Sequence, residues 1–264
     1  MQKTAPVAPL SLDQKRNGLT LLLALAFLAS IFAIDFRQPL IHQGGWAVLE
    51  RLLTSLTRPD FSPELLRLAL HSSLLTLAYA LISLSIAILF GFSLALLASN
   101  VLFHSRLLSL TARGILGGLR AIHELIWAWF FVAAVGLNPV GAVFALAIPY
   151  SGYLGKIFAD TLQQTPQAPI HALQQAGANR WQQFCYGYLP QTLPTMLSYT
   201  MYRLECAVRS SSVLSFVGLG GIGMQIQLSL QDLRYEQIWT FLLFLVAMIW
   251  LIDRWSYALR RRLC

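Results

Sequence analysis

From Leu68 to Ser105 the chain carries no aspartate, glutamate, lysine or arginine. About 20 apolar residues suffice to cross a bilayer as a helix. Lipid tolerates only helices and closed barrels, because both satisfy their backbone groups internally. A charge-free stretch of this length, rich in leucine and alanine, predicts a membrane helix over 68–98. Ser62-Pro63-Glu64 before it supplies a helix start: a capping side chain, a proline in the first turn and an acid near the positive helix end. The rest of the chain has the same character. It is 56% hydrophobic and 11% charged over 264 residues, whereas soluble domains carry about 25% charged residues. No polar stretch is long enough to build a soluble domain.

The spacing of apolar runs predicts an all-α polytopic protein with about six transmembrane helices. The first run, 18–34, follows a basic start and lacks a small-residue cleavage site, so it reads as an uncleaved helix rather than a signal peptide. Residues 35–62 leave the membrane. Within them Trp46, Leu49, Leu53 and Leu56 recur at helical spacing, which suits either an interfacial helix or a loop helix packed on the protein. Further spans are read over 111–135, 140–160, 190–216 and 238–253. Gly136-Leu137-Asn138-Pro139 is a tight turn joining the third and fourth, and Pro149 and Gly152 can kink the fourth. A second outside loop holds a glycine cluster and then Asp232, Arg234 and Glu236. Serines 72, 73, 83 and 85 suit helix packing.

Basic residues orient the chain. Lys3, Lys15, Arg16, Arg106, Arg113, Lys156, Arg180, Arg254, Arg260, Arg261 and Arg262 fall on one side. Arg37, Arg51, Arg58, Arg67 and Arg234 fall on the other. Both termini and the polar loop 161–189 are therefore expected in the cytoplasm. The net charge of +8 is scattered over loops rather than gathered on one element, which argues against nucleic acid. Cys185, Cys206 and Cys264 have no metal-ligand spacing. No nucleophile–base pair, metal constellation or nucleotide motif is present, so the chain is not expected to be an enzyme, to bind a metal or to hold a cofactor.

The loop reads as two short helices, Ile170–Ala176 and Trp181–Tyr188, bent at Gly177 and ended by Leu189-Pro190. Trp181 and Phe184, three residues apart, could anchor in a partner's groove. Arg120 and Glu124 are four apart, as are Glu205 and Arg209, so each pair shares a helix face. With Pro190 at the inner interface, helical rise puts Glu205 about 22 Å deep and Arg209 about 28 Å. Two Arg–Glu pairs at similar depth could neutralise each other, since a lone charge at the membrane centre costs at least ~2.5–3.5 kcal/mol. These charges, with Arg203, Ser210 and Ser211, either line or gate a path for an anion or orient the helices as structural ion pairs. Gly218, Gly220, Gly221 and Gly223 lack the strand–loop–helix context of a phosphate cradle. They suit a sharp turn and close helix approach.

The spacing of Ala172, Gly177, Leu189 and Pro190 resembles the loop motif of ABC importer permeases. R-A-I-H-E at 120–124, Y-R-L-E-C-A-V-R at 202–209 and the following glycines resemble the phosphonate-type branch. The resemblance covers about residues 68–253. His171 stands where the family has glutamate, and Ala207 where asparagine is common. The resemblance implies the type I permease architecture. An N-terminal region 1–67 (tail, first helix and periplasmic segment) and a basic tail 254–264 flank a permease domain 68–253. His171, Ala172, Gly177, Ala178, Trp181, Leu189 and Pro190 would belong to the loop 161–190 that couples to a separate ATPase, which would use the ATP. The glycines would belong to a periplasmic gate. Implied partners are that ATPase, a periplasmic substrate-binding protein, a second copy of the chain and membrane lipid, in a bacterial inner membrane. The implied solute is phosphonate or a related phosphorus oxyanion. Alternatives are a permease for another solute such as methionine, a self-contained channel or carrier, and a membrane enzyme acting on phospholipid.

Overall fold

A computed structural model describes residues 12–32 and 44–263. Lys3, Asp35, Arg37 and Cys264 lie outside the described residues. The elements are α1 (Leu12–Phe32), α2 (Gly45–Ser55), α3 (Pro63–Ser99), α4 (Arg106–Ala121), α5 (Glu124–Val135), α6 (Pro139–Gln163), α7 (Gln167–Gln175), α8 (Arg180–Gln183), α9 (Leu189–Leu214), α10 (Ile222–Gln231) and α11 (Tyr235–Leu263). A π turn, Phe184–Tyr188, joins α8 to α9, and a 3-10 turn, Ser215–Val217, follows α9. Among the described residues there is no strand.

The chain divides into two units, 1–51 and 52–264. The first carries α1, whose Leu19, Leu22 and Phe27 are exposed, as suits a helix surrounded by lipid. Its apolar part, Arg16–Phe32, is shorter than a full span. In the second unit α3, α6 and α11 are each long and apolar enough to cross a membrane. Two bent pairs, α4 with α5 and α9 with α10, meet the same test together. These five segments and α1 account for the six expected apolar segments, two of them broken.

Small residues set how closely the second unit packs. Ala87, Gly91 and Ala95 of α3, four apart, face Ser151, Gly155 and Ala159 of α6, also four apart; the alanines and Ser151 are buried. A Cβ at Gly91 would stand 2.9 Å from the Ser151 carbonyl. Such facing stripes let helix backbones approach where lipid offers no hydrophobic driving force. The opposite end of α3 is tied to α11: the Thr240 hydroxyl donates to the Asp60 carbonyl at 2.6 Å, and Leu65 and Ala69 pack with Ile238 and Phe241. Gln163 Nε2 donates to the Ser99 carbonyl at 3.1 Å, which marks the other end, next to α7.

Three expectations about helices are corrected. The third span is not one helix: α4 and α5 meet at 84°. Ile122 is extended, and His123 caps α5 by accepting from the Leu125 N–H. Arg120 in the last turn of α4 and Glu124 in the first turn of α5 suit the ends of two helix dipoles. Leu189-Pro190 does not end a helix. The Leu189 N–H reaches back to Phe184, so the π turn carries the chain past the proline, and Gln191 Nε2 satisfies the Gly187 carbonyl at 2.8 Å. Gly218, Gly220 and Gly221 do not share a loop with Asp232, because α10, which contains Gly223, lies between.

Candidate functional site

The polar loop folds as α7, a reverse turn and α8. Gly177 takes φ +84°, a left-handed conformation open to glycine at little cost. There the Gly177 N–H donates to Gln174 and the Ala178 N–H to Leu173, each at 3.0 Å. Gln182 Oε1 accepts from the Asn179 N–H at 2.7 Å and opens α8. Ile170 is buried against Gly187, whose missing side chain leaves it room. His171, Ala172, Gly177, Trp181 and Pro190 are exposed, while Ala178 and Leu189 are half-buried. Trp181 stands edge-on to Phe184 at 6.3 Å. Phe184 is 4% exposed, against 62% for Trp181. It is a core residue and not a second anchor, because the turn of chain after α8 carries it inward.

The intramembrane charges do not pair as their spacing suggested. The break at Ile122 removes Arg120 and Glu124 from a common face. Glu205 is buried and accepts from Arg260 Nη2 at 2.6 Å. Arg209 Nη2 meets Asp253 at 3.3 Å. Both partners lie on α11, seven residues apart and so on one face. They follow the apolar stretch of α11, which ends at Ile252, so both ion pairs join α9 to the charged C-terminal part of α11.

Arg203 is held differently. Its Nε and Nη2 donate to the Tyr199 hydroxyl at 2.9 and 2.6 Å. Its guanidinium carbon lies 4.4 Å from the centre of the Tyr153 ring, 5.1 Å from that of Tyr199 and 5.7 Å from that of Tyr202. Such stacking stabilises a cation without neutralising it. Arg203 has no carboxylate partner among the described residues. Tyr153 is also the link to Arg120, donating to its carbonyl at 3.5 Å. One turn along α6, the Tyr150 hydroxyl donates to Ser210 Oγ at 3.3 Å, and Ser210 donates to Glu124 Oε1 at 2.7 Å. His123 lies 3.7 Å from the same carboxylate. The structure thus gathers Glu124, Ser210 and, through Tyr153, Arg120 and Arg203. It separates Ser211, which is buried and donates to the Thr76 carbonyl at 3.0 Å.

The sequence reading missed Tyr150, Tyr153, Tyr199, Asp253 and Arg260. Tyr199 and Tyr202 flank Arg203 at helical spacing, which was a usable signal. The α6 and α11 residues are distant in sequence, so no spacing rule could find them.

The glycine cluster joins α9 to α10. Gly218, Gly220 and Gly221 take φ of +88°, +86° and +95°. Thr76 Oγ1 accepts from the Ile222 N–H at 2.9 Å, about 20 Å along α3 from Pro63 by helical rise. A Cβ at Gly218 would meet Leu137 of the α5–α6 turn, and one at Gly223 would collide with the Ser212 carbonyl. The turn is therefore packed between membrane helices.

Residues 87–263 match the family model described as binding-protein-dependent transport system inner membrane component. The chain is 35% identical to the phosphite transport system permease protein PtxC of Stutzerimonas stutzeri, over 77% of this chain and 73% of that one. It is 31% identical to the putative phosphite transport system permease protein HtxC of the same organism, over 94% and 87%. Among solved structures, the inward-facing MetNI methionine ABC transporter superposes with a TM-score of 0.67 at 21% identity, covering 77% of this chain and 100% of that one. That likeness is one of fold.

Proposed function

Because the chain belongs to the family of binding-protein-dependent transport system inner membrane components, and is an ABC importer permease, we propose that its solute is a small phosphorus oxyanion of the phosphite or phosphonate class. The observation that carries this is Arg203: a half-buried guanidinium, braced by tyrosines, with no carboxylate among the described residues to neutralise it. Its remaining N–H donors suit a tetrahedral oxyanion, for which arginine's planar fork is the better-matched cation. The names of the two similar permeases support the same solute class.

In this reading the loop 161–190 faces the cytoplasm and seats on a separate ATPase subunit, with Trp181 as its exposed apolar anchor. The turn at Gly177 holds α7 and α8 as one rigid projection, so movement of the motor is transmitted to α9, which is continuous with α8. α9 carries Arg203 and Ser210 past Tyr150 and Tyr153 of α6. A two-state shift of α9 against α6 would present Arg203 alternately to each side. A periplasmic substrate-binding protein would deliver the solute from the side where α3 starts, the glycine turn would hold α9 and α10 together between the membrane helices, and two copies of the chain would enclose the path. A permease component is not itself catalytic, and ATP is consumed by the partner.

The test is uptake into proteoliposomes holding the chain, its ATPase and its binding protein, with phosphite, methylphosphonate, phosphate and methionine compared. Uptake of phosphite or methylphosphonate that requires ATP is expected. Methionine uptake without either would overturn the solute assignment, and uptake without ATP would overturn the coupling.

A further inference from the structure

Arg106, Arg113 and Arg120 are spaced by seven, so two turns of α4 bring each back to nearly the same face. The upper two border a cavity of about 180 Å³ between α4 and α6, lined also by Gly117, Lys156, Ala159 and Asp160. The solute reading above leaves Arg113 and Lys156 without a role. We propose that this cavity is a binding site for a phosphorus oxyanion group, carried either by a free ion or by a phospholipid head group.

Its walls are fixed by close helix approach. A Cβ at Gly152 would stand 2.9 Å from the Leu116 carbonyl and 3.0 Å from the Arg120 nitrogen, and one at Gly155 would collide with Leu116. On the open side Gly117 has nothing within 4 Å of a Cβ position, so the floor is left clear. Water occupies about 30 Å³ per molecule in the liquid, which leaves room for a tetrahedral anion with some of its hydration.

The charges are unbalanced. Two arginines and a lysine face one carboxylate, and Lys156 and Asp160 are 3.7 Å apart with both side chains partly exposed. Arg113 Nε is anchored on the Ala98 carbonyl at 3.2 Å. The Arg120 side chain has no hydrogen bond or ion pair among the described residues. The surplus of two positive charges matches a free phosphate or phosphite ion carrying about −1.5 to −2 at neutral pH, and it also attracts the single negative charge of a phosphodiester head group. Lys156 and Asp160 lie in the last two turns of α6, next to the loop, where a lipid head group and an ion leaving the path are equally able to reach. The site requires no particular transported solute, so it can stand if the solute assignment fails.

The test uses the full chain in detergent, stripped of lipid and titrated calorimetrically with inorganic phosphate and phosphite. In parallel, the chain is released from phosphatidylglycerol nanodiscs and weighed by native mass spectrometry. A free-ion site gives saturable binding at one ion per chain. The triple variant R113Q/R120Q/K156Q weakens it by at least about tenfold, a loss expected when charge-assisted bonds are removed. A lipid site gives one phosphatidylglycerol retained per chain, lost in the triple variant. D160N removes the lone acid and must tighten whichever binding is seen. R254Q/R261Q removes charges elsewhere and must leave it unchanged. Wild-type binding by the triple variant in both arms, an equal loss in R254Q/R261Q, or no tightening in D160N would each overturn the proposal.

Discussion

Arg203 and Glu205 are two residues apart yet meet opposite fates. Two helical positions turn through about 200°, so one faces the tyrosines of α6 and α9 and the other faces α11. Replacing Arg203 by Gln should lower uptake about ten- to hundredfold, the worth of one to two charged hydrogen bonds. Lys should recover only part, because it lacks the fork and stacks less well. Wild-type uptake by Arg203→Gln would remove the residue from the path. Glu205 and Arg260 make a different case. Glu205 is 10% exposed at its side chain and Arg260 28%. Arg260→Ala leaves a buried carboxylate alone and should cost about 3–5 kcal/mol, read as a lower unfolding midpoint in detergent. The double variant Glu205→Gln with Arg260→Gln should recover most of it, because removing both charges removes the desolvation cost as well.

At the scale of elements, the joints carry most of the information. The turn between α9 and α10 depends on Gly221, which sits at φ +95° with a Cβ position 2.6 Å from both Ser215 Oγ and Thr76 Oγ1. Gly221→Ala should destabilise the chain by about 1–3 kcal/mol through backbone strain and loosen the Ile222–Thr76 bond. Faster amide exchange at Ile222 would report this, and unchanged exchange would contradict it. The start of α3 depends on Asp60. Its carboxylate accepts from the Ser62 N–H at 2.9 Å, which holds its pKa below the ordinary 3.8. A lowered carboxylate pKa contributes stability above the unfolded value and loses it as pH falls through the folded one. Protection of the Ser62 amide should therefore persist at neutral pH and fade below pH 3.8, and Asp60→Asn should abolish that dependence. The α4–α5 break was legible in hindsight. Arg-then-Glu across Ile122-His123 is the charge order of one helix ending and another beginning, but no proline or glycine stands at the break itself, between residues 119 and 135, to mark it.

For the whole molecule, orientation is the open physical question that one measurement answers. Cys185 is exposed in the π turn after α8. In a Cys264→Ser background, a membrane-impermeant maleimide should label Cys185 only after the inner membrane is permeabilised. Labelling of intact spheroplasts would put the loop on the wrong side for the motor. The number of apolar segments, the place where α3 starts, the Gly136–Pro139 hairpin and the bend at Gly177 were all legible, because each depends on local chemistry: hydropathy over a bilayer's thickness, a first-turn proline and a left-handed glycine. The expected cap of α3 is the exception, since the Ser62 side chain makes no cap bond and Asp60 accepts from the Ser62 N–H instead. What the tertiary structure decided was which charge met which. Arg203 went to Tyr153, Glu205 to Arg260, Arg209 to Asp253, and Arg113 and Arg120 to a cavity shared with Lys156. Helix periodicity states which side chains share a face. It does not state which neighbour that face meets, since lipid leaves the choice to the packing of small residues such as Gly91 and Gly155, and that choice belongs to the assembled helices rather than to any one of them.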